Sequence, residues 1–490
     1  MKRFIIICLT ALTMLSCAKN GDDDTGNDIP KKYDKITIDS TNIRLQAFSD
    51  PVTFKFHSTA DWELEIVGEE HDWITIEPKS GKAGDAEIIL TPQLNFYKDY
   101  RHVEFIITAK KAYAPPISAI QLPIAPSLDN ILDATYSSTD FSKDGEVYTL
   151  QKAKIKGGEG INIVFMGDGF SDRLIADGTY KKIMEFTMET FFSIEPYKSF
   201  RDFFNCYYVN VVSEDEVVCE GNNTTFKTTL GTSYIEGDNA IVIEYARKAL
   251  SEDVDMDDVL VAVAVNSLTY RGGTCHYFQP ENYTFGAGDG FAIAYSTFAT
   301  YRSTLLHECG HGLAKLADEY VLDPQINQQL PESQIFLYNN YYKPLGWYKN
   351  VDITDNPEEI SWSHFLSDAR YEKDKVGIFE GAWHYGYGAY RPSYDSMMRN
   401  GYEYNAPSRE AIYYRIHKIA YGDEWEYDYE KFVEYDTKNI GKLPAAIEGK
   451  SSYAAKPHSN PIIHNCSWRQ TLNGNGGDNE KQKIIINDKL

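Results

Sequence analysis

The most informative stretch of this chain of 490 residues is Leu305-Leu306-His307-Glu308-Cys309-Gly310-His311. Its last five residues read H-E-x-x-H. On a helix, the two histidines lie one turn apart on the same face, so that both imidazoles can reach one Zn²⁺ at about 2.0–2.1 Å. Glu308 is then placed to take a proton from water rather than to bind the metal. The residues from Ser296 to Leu306 are compatible with the first part of this helix, and the alternative is a surface helix with two solvated histidines.

Two adjacent acids, Asp318 and Glu319, follow the motif and offer a third metal ligand. On a continuous helix, Asp318 would lie about 10 Å further along the axis than His311, too far to share a metal. We therefore expect the helix to end between Gly312 and Leu316 and the chain to double back. Asp318 is favoured as the ligand, with Glu319 as the alternative. The other acid would then act outside the ligand set, for example by orienting a histidine.

Composition and charge limit the classes of protein to which this chain can belong. Apolar residues make up 42% and aromatic residues 14% of the chain, which is typical of a globular protein rather than a disordered one. The 72 acidic residues outnumber the 48 basic ones, and the formal net charge is −24. This balance argues against a nucleic-acid partner, which would require a basic face. The length is sufficient for two or three domains.

The N-terminus has the pattern of a targeting segment. A charged Met1-Lys2-Arg3 precedes an apolar run that is too short to span a membrane. The following Met14-Leu15-Ser16-Cys17 resembles a bacterial lipobox, which implies removal of residues 1–16 and acylation of Cys17. Residues 17–34 then form a flexible tether. The expected location is the bacterial outer membrane or cell surface, held by lipid, or the periplasm; the alternative is a plain signal peptide.

The remaining five cysteines do not form a disulfide framework, because they are few and odd in number. One pair stays open, either Cys206 with Cys219 or Cys219 with Cys275. Cys309 lies inside the metal motif, but on a helix it points away from the two histidines. We interpret it as a small packed residue rather than a ligand or nucleophile.

Residues 35–125 carry β signals. The segment Trp62-Glu63-Leu64-Glu65-Ile66 alternates apolar and acidic residues, and short strands are separated by turns such as Pro78-Lys79-Ser80-Gly81. This pattern predicts an all-β sandwich. Together with Trp73-Ile74, Asn95 and Arg101, these residues resemble the BACON family of immunoglobulin-like modules. The resemblance implies binding of carbohydrate or mucin, whereas the alternation of Trp62 and Trp73 with polar residues favours a spacer.

A linker at residues 126–140 separates the sandwich from an α/β region at residues 141–425, and residues 426–490 form a C-terminal extension. The apolar run Asp258 to Val265 is typical of a strand buried on both faces. Helices and strands alternate before the metal motif, as in the sheet-containing half of a metallopeptidase. Asp168 lies between two glycines, and we interpret this segment as a turn rather than a binding loop. The Tyr270-Arg271-Gly272-Gly273 segment could border the active site in the same way.

The second half of the site comes later in the chain. Met398, or Met397 as the second choice, is a candidate for a hydrophobic floor beneath the zinc ligands, as in metzincins. Helical spacing from Ser408 to Ala420 predicts a closing helix. A tyrosine is a candidate for stabilising the oxyanion, and three are equally placed by sequence: Tyr385, Tyr390 and Tyr402.

The run from His307 to Tyr320 resembles the IgA-peptidase family of zinc metallopeptidases, which is metzincin-like. Further segments carry the same resemblance: Ile163 to Phe170, Pro196-Tyr197, Arg201 to Asn205, Glu380-Gly381-Ala382, Tyr390-Arg391-Pro392 and Met398-Arg399. The resemblance implies a metzincin-like zinc peptidase domain after the sandwich. It does not transfer a substrate, because specificity lies in loops. The position that holds the third ligand in metzincins is Ala317 here, so the ligand must be supplied by a neighbouring acid.

The combined prediction is a surface-anchored zinc endopeptidase that cleaves extracellular proteins or glycoproteins, such as immunoglobulin A or mucin. His307, His311 and Asp318 would hold Zn²⁺, and Glu308 would transfer protons. In a variant of this reading, the sandwich targets the enzyme to mucin. The alternative is a non-catalytic glycan-binding lipoprotein with a structural zinc site. The intact Glu308 favours the enzyme.

Overall fold

The computed structural model describes residues 34–231, 234–270, 272–440 and 460–474. The predicted signal peptide, the lipid site at Cys17, nearly all of the tether and Arg271 lie outside these ranges, as does most of the predicted C-terminal extension. None of the helices within the described ranges combines the length and apolar character that a bilayer crossing requires. The described residues form an N-terminal β region followed by a mixed α/β region.

Ten strands build the N-terminal region: β1 (Ile36–Ile38), β2 (Asn42–Leu45), β3 (Val52–Ser58), β4 (Trp62–Ile66), β5 (Ile74–Glu77), β6 (Ser80–Gly81), β7 (Gly84–Pro92), β8 (Arg101–Ala109), β9 (Ala112–Tyr113) and β10 (Ile117–Gln121). One sheet has the order β1-β3-β7-β5. The other has the order β2-β10-β8-β4-β6, with β9 paired to β8.

The two sheets share one hydrophobic core. Trp62 and Trp73 are 3% and 9% exposed and lie inside it, as their alternation with polar residues predicts. The Trp62 ring packs edge-on against Phe56, with centroids 4.9 Å apart. The predicted all-β character of this region is therefore confirmed, whereas its immunoglobulin-like topology stays a prediction.

Helix α1 (Ile124–Leu128) spans the boundary between the predicted sandwich and the predicted linker. Ser127 is buried in this helix, and its hydroxyl accepts a hydrogen bond from Ala47 N at 2.7 Å. Leu128 is fully buried in the core that continues into the α/β region. Burial of Leu128 and the bond to Ala47 hold this segment in place, although its composition suggests a loop.

A seven-stranded sheet forms the centre of the α/β region, in the order β11-β13-β12-β16-β18-β17-β21. The bounds are β11 (Val147–Gln151), β12 (Ile161–Asp168), β13 (Phe204–Val209), β16 (Leu260–Val265), β17 (Gly273–Tyr277), β18 (Ala292–Thr297) and β21 (Ile462–Ile463). Strand β16 is buried along its whole length, as its apolar run predicts. Strand β17 runs antiparallel to β18 on one side and pairs with β21 in parallel on the other. Part of the predicted extension thus completes the sheet.

Within the described ranges, two hairpins and ten α-helices complete the region. The hairpins are β14 (Thr229–Leu230) with β15 (Ile235–Glu236), and β19 (Phe379–Ala382) with β20 (Tyr385–Arg391). The helices are α2 (Asp172–Ala176), α3 (Thr179–Phe191), α4 (Asn239–Arg247), α5 (Tyr301–Ala314), α6 (Glu332–Leu337), α7 (Lys343–Leu345), α8 (Ser363–Leu366), α9 (Ala406–Tyr421), α10 (Tyr429–Asn439) and α11 (Trp468–Leu472).

Helix α5 carries the H-E-x-x-H motif, but it begins later than predicted. Ser296 and Thr297 still belong to β18, where they pair with Ala264 and Val265 of β16. A 3-10 turn follows, and the helix begins at Tyr301. Pairing with the neighbouring strand overrides the local helical tendency of this segment, because tertiary contacts routinely outweigh propensity.

The β region packs directly on the helices around α5. Phe48 and Phe96 contact Phe186 of α3, with ring centroids 5.9 Å and 5.4 Å apart. The guanidinium of Arg302, in the first turn of α5, lies 5.4 Å from the centre of the Tyr97 ring. The N-terminal region therefore forms part of the support of the helix that carries the H-E-x-x-H motif.

Candidate metal centre

Helix α5 ends as the third ligand requires. Lys315 adopts the left-handed conformation with φ of 49°, and it forms the C-cap. Lys315 N donates to His311 O at 2.9 Å, and Leu316 N donates to Gly310 O at 3.3 Å. Bonds of this kind satisfy the last helical carbonyls and reverse the chain. The end of the helix at Ala314 agrees with the predicted interval, and the reversal brings Asp318 back to the histidines.

Three side-chain atoms converge on one point. His307 Nε2 lies 3.0 Å from His311 Nε2 and 3.0 Å from Asp318 Oδ1, and His311 Nε2 lies 3.2 Å from the same oxygen. Within the described ranges, these residues form a group close enough to share one ion. A tetrahedral zinc site with bonds of about 2.0–2.1 Å separates its ligand atoms by roughly 3.3 Å. The spacing and the N, N, O donor set therefore fit zinc.

The hydrogen bonds of the two imidazoles select the tautomer that can bind a metal. His307 Nδ1 lies 3.0 Å from Met397 O, and His311 Nδ1 lies 2.6 Å from Leu316 O. A carbonyl oxygen only accepts, so each Nδ1 carries the proton and donates it. Each Nε2 then presents its lone pair to the common point, which is the usual arrangement for metal-binding histidines.

The centre is completely enclosed: His307, Glu308 and His311 are 0% exposed, and Asp318 is 1% exposed. Burial acts to raise the pKa of Asp318, but the nearby imidazoles of His311 and His307 outweigh it and hold this pKa well below its usual range. The carboxylate is therefore charged and available as a ligand.

The Glu308 side chain projects from α5 and packs against β17. A Cβ atom on Gly273 would lie 2.6 Å from Glu308 Cγ, so the strand can approach this closely only because residue 273 is glycine. Burial raises the pKa of Glu308 to about 7, although the two histidines and the Cys275 backbone oppose this rise. A carboxylate with a pKa near neutrality is suited to accepting and returning a proton.

Glu319 belongs to a different network from Asp318. Its carboxylate accepts hydrogen bonds from Asn350 Nδ2 at 2.8 Å, Ser396 Oγ at 2.7 Å, and Asn405 Nδ2 at 2.9 Å. Its backbone N donates to Met398 O at 2.8 Å. The expectation that the second acid orients a histidine is corrected in one respect. Glu319 contacts the methionine segment, and the Met397 carbonyl of that segment accepts the hydrogen bond from His307 Nδ1.

Met397 and Met398 lie beneath the motif and are 2% and 0% exposed. The Met398 sulfur packs so closely on α5 that a Cβ on Gly310 would lie 3.0 Å from it. The chosen Met398 thus contacts the helix between the two histidines, and Met397 contributes its backbone carbonyl. Both candidates have a place in the site, but through different atoms.

Two residues of the site are absent from the sequence-based candidates. His384 Nε2 lies 2.9 Å from Asp318 Oδ2. Tyr320 is 5% exposed, and its ring centroid lies 4.9 Å from that of His384 and 6.3 Å from that of His307. The one sequence signal for His384 is its position directly after the Glu380–Trp383 segment. Tyr320 lies closer to the ligands in sequence than the proposed Tyr385, Tyr390 and Tyr402.

The cysteines and Asp168 are structural. Cys206, Cys219, Cys275, Cys309 and Cys466 are all free thiols, so neither suggested disulfide forms. Cys206 and Cys275 are buried in separate strands, whereas Cys219 lies on an exposed loop. Cys309 is buried as expected for a small packed residue. Asp168 is the last residue of β12 rather than part of a turn, because it pairs with Val265 of β16, and its carboxylate accepts bonds from Thr224 Oγ1 at 2.7 Å and Phe226 N at 3.0 Å.

The chain was compared with curated proteins and with solved structures. No curated protein matches the chain. Among solved structures, WR4, a C. elegans MSP family member, has 11% identity, covers 18% of this chain and 95% of its own, and has a TM-score of 0.14. A Bacteroides ovatus GH5 xyloglucanase has 13% identity, covers 47% of this chain and 46% of its own, and has a TM-score of 0.17. Similarity this low carries no information about fold or function.

The family comparison is specific. Residues 150–369 match the model of the family described as IgA Peptidase M64. The match includes the complete H-E-x-x-H motif and both acids, and it confirms the resemblance found in the sequence. The resemblance of residues 35–125 to the BACON family stays a prediction. The α/β part of this chain, which carries the candidate metal centre, is therefore similar to the IgA peptidase M64 family over residues 150–369.

Proposed function

We propose that this protein is a zinc-dependent endopeptidase. The observation that carries the proposal is the convergence of His307 Nε2, His311 Nε2 and Asp318 Oδ1, with separations of 3.0 to 3.2 Å. Both Nδ1 atoms donate to backbone carbonyls, which leaves two imidazole lone pairs for a metal. Three protein ligands leave a coordination position open, as in catalytic rather than structural zinc sites.

Different residues of this chain have different roles in the proposed peptide hydrolysis. The chemistry that zinc supplies in such a site is polarisation of the scissile carbonyl and a lowered pKa of about 7 for water. Glu308 takes the proton of the attacking water and returns it to the leaving amine. Tyr320 lies beside Asp318 and the histidines, and its hydroxyl is our candidate for stabilising the oxyanion.

The substrate we propose is an extracellular protein or glycoprotein, with immunoglobulin A and mucin as specific candidates. The family description and the lipobox-like Met14 to Cys17 support this choice. We further propose that lipid on Cys17 anchors the chain at the outer membrane or cell surface. The β region acts as a spacer, because Trp62 and Trp73 are used in its core rather than on a glycan-binding surface.

The test is hydrolysis of casein, immunoglobulin A and mucin by the chain from Ala18 onward, with and without a chelator. We expect cleavage that a chelator stops and that added zinc restores. Glu308→Gln should retain one zinc per chain and lose cleavage by about 10³-fold or more, since both proton transfers depend on this residue. A fully active Glu308→Gln protein would refute the proposal.

A structural zinc site is the competing function, and the complete burial of the centre is the observation in its favour. Glu308 argues against it, because a structural site needs no proton-transfer residue beside its ligands. If zinc removal unfolds the protein and no substrate is cleaved in its presence, the structural function is the correct one.

A further inference from the structure

An unusual backbone corner joins β19 to β20. Trp383 and His384 have φ angles of 47° and 73°, so two consecutive residues with large side chains adopt the left-handed conformation. This conformation is uncommon for residues other than glycine, although histidine adopts it more often than most, and it persists where the surroundings hold it. Strained residues of this kind are concentrated at functional sites.

The Trp383 side chain anchors the corner. It is 9% exposed, and its ring centroid lies 5.4 Å from that of Tyr348, 5.9 Å from that of Tyr342 and 6.1 Å from that of Tyr338. Burial of a large aromatic ring among three others provides the packing that can stabilise an unfavourable backbone.

The backbone of the corner pairs with the segment that carries the third ligand. Trp383 N donates to Asp318 O at 2.9 Å, and His384 N donates to Tyr320 O at 2.9 Å. In return, Leu322 N donates to His384 O at 3.1 Å. Asp318 is therefore fixed at its backbone by residues that are more than sixty positions away in the chain.

The His384 side chain then reaches the carboxylate itself. His384 is 2% exposed, and its Nε2 lies 2.9 Å from Asp318 Oδ2. The other oxygen, Oδ1, faces His307 and His311. The two oxygens of one carboxylate thus have separate partners, and the imidazole prevents the carboxylate from rotating.

We propose that His384 is a positioning residue for the zinc ligand Asp318, and that the left-handed corner at Trp383-His384 serves to deliver it. The imidazole donates to Oδ2 and so presents Oδ1 to the metal position. Groups outside the ligand set that orient ligands in this way commonly raise metal affinity about 10–100-fold. The inference rests on the metal site of the proposed function, but not on hydrolysis.

The contrasting explanation is that residue 384 is needed only for the path of the backbone. His384→Gly separates the two, because glycine accepts a φ of 73° without penalty while the imidazole is removed. His384→Gln restores a side-chain N–H donor at similar reach. Lys110→Gly is the matched control, since Lys110 also has a left-handed φ of 50° but lies in the turn after β8.

Zinc affinity of the chain from Ala18 onward is measured by competition with a chelator, in the Glu308→Gln background where hydrolysis does not interfere. We expect His384→Gly to bind zinc about 10–100-fold more weakly. His384→Gln should stay within a few-fold of the parent protein, as should Lys110→Gly. The absorption spectrum of the Co²⁺-loaded protein should change in His384→Gly and be preserved in His384→Gln.

Parental affinity in His384→Gly would overturn the inference, as would equal losses in His384→Gln and His384→Gly. If the glycine variant does not fold, the glutamine variant decides: a parental Co²⁺ spectrum supports the role and an altered one refutes it. Tight zinc binding by a protein that cleaves nothing would refute the proposed function alone. An active peptidase whose His384→Gly variant binds zinc normally would refute this inference alone.

Discussion

Asp318 and Glu319 are adjacent in the chain, but their carboxylates serve two separate networks. Asp318 Oδ1 lies 3.0 Å from His307 Nε2, whereas Glu319 accepts bonds from Asn350, Ser396 and Asn405. One acid therefore faces the two histidines, and the next faces a separate group of buried amide and hydroxyl donors.

The first prediction follows from this division. Asp318→Ala should reduce zinc from about one per chain to a small fraction, because it removes one of three ligands. Glu319→Ala should retain zinc, and it serves as the control for loss of a buried acid. Metal analysis of the two purified proteins after dialysis checks this. Zinc loss in Glu319→Ala with retention in Asp318→Ala would reverse the assignment.

Glu319 should matter for stability rather than for the ligand set. Glu319→Ala leaves several buried donors without an acceptor, and we expect the free energy of unfolding to fall by about 2–4 kcal/mol. Glu319→Gln should cost less, because its amide oxygen still accepts one bond. Urea unfolding of both variants measures the difference. Equal stability of Glu319→Ala and the parent protein would contradict a structural role.

Gly310→Ala tests the contact between the motif and the methionine segment. The added Cβ would lie 3.0 Å from Met398 Sδ and 3.0 Å from Tyr404 Oη. Alanine favours a helix by about 1 kcal/mol over glycine, so a net loss must come from the clash. We expect a net destabilisation of about 1–2 kcal/mol and weaker zinc binding, since the displaced Met397 carbonyl orients His307. An increase in stability with unchanged zinc affinity would exclude this contact.

Zinc removal should lower the thermal stability. The three ligand atoms come together only in the folded chain, so zinc at a thousandfold excess over its Kd adds about 4 kcal/mol. A chelator should therefore lower the Tm of the parent protein by several degrees. The Asp318→Ala protein is the control and should show no shift. Identical Tm values for the parent protein with and without zinc would contradict binding to the folded state.

Phe186→Ala tests the support that the β region gives to the helices. Phe186 is 1% exposed and contacts Phe48, Phe96 and Tyr301. Its loss should cost about 3–5 kcal/mol and separate the unfolding of the two regions in calorimetry. Phe54→Ala, within the core of the β region, is the matched control and should destabilise that region without uncoupling it. A single unchanged transition in Phe186→Ala would show that the contact does not couple them.

Several features of the site are readable from local sequence. The spacing of His307 and His311 guarantees one shared helical face, because the helical period is a property of the backbone. The end of α5 is likewise predictable from the distance that a third ligand must cover. The apolar run of β16 and the alternation around Trp62 identify their strands for the same reason. Each of these patterns lies within a few consecutive residues.

Other features depend on residues that are distant in sequence. The β18 pairing that delays the start of α5, and the helix at Ile124–Leu128, come from contacts with other elements. The free cysteines depend on where separate strands and loops lie. None of these contacts leaves a pattern within a short window of sequence.

By itself, the sequence predicted the helix that carries the H-E-x-x-H motif, Glu308 as its proton-transfer residue and the pair of acids that offer a third ligand. Only the tertiary structure places the carboxylate of Asp318, and not that of Glu319, beside the two histidines, because this depends on the left-handed turn at Lys315 and on which network each carboxylate faces. The tertiary structure also shows that Met397 O accepts a hydrogen bond from His307 and that His384 lies beside the Asp318 carboxylate. A contact made by a backbone carbonyl cannot be predicted from the type of residue that carries it. His384 is distant from Asp318 in sequence, and it becomes a neighbour only through the left-handed backbone corner of the folded chain.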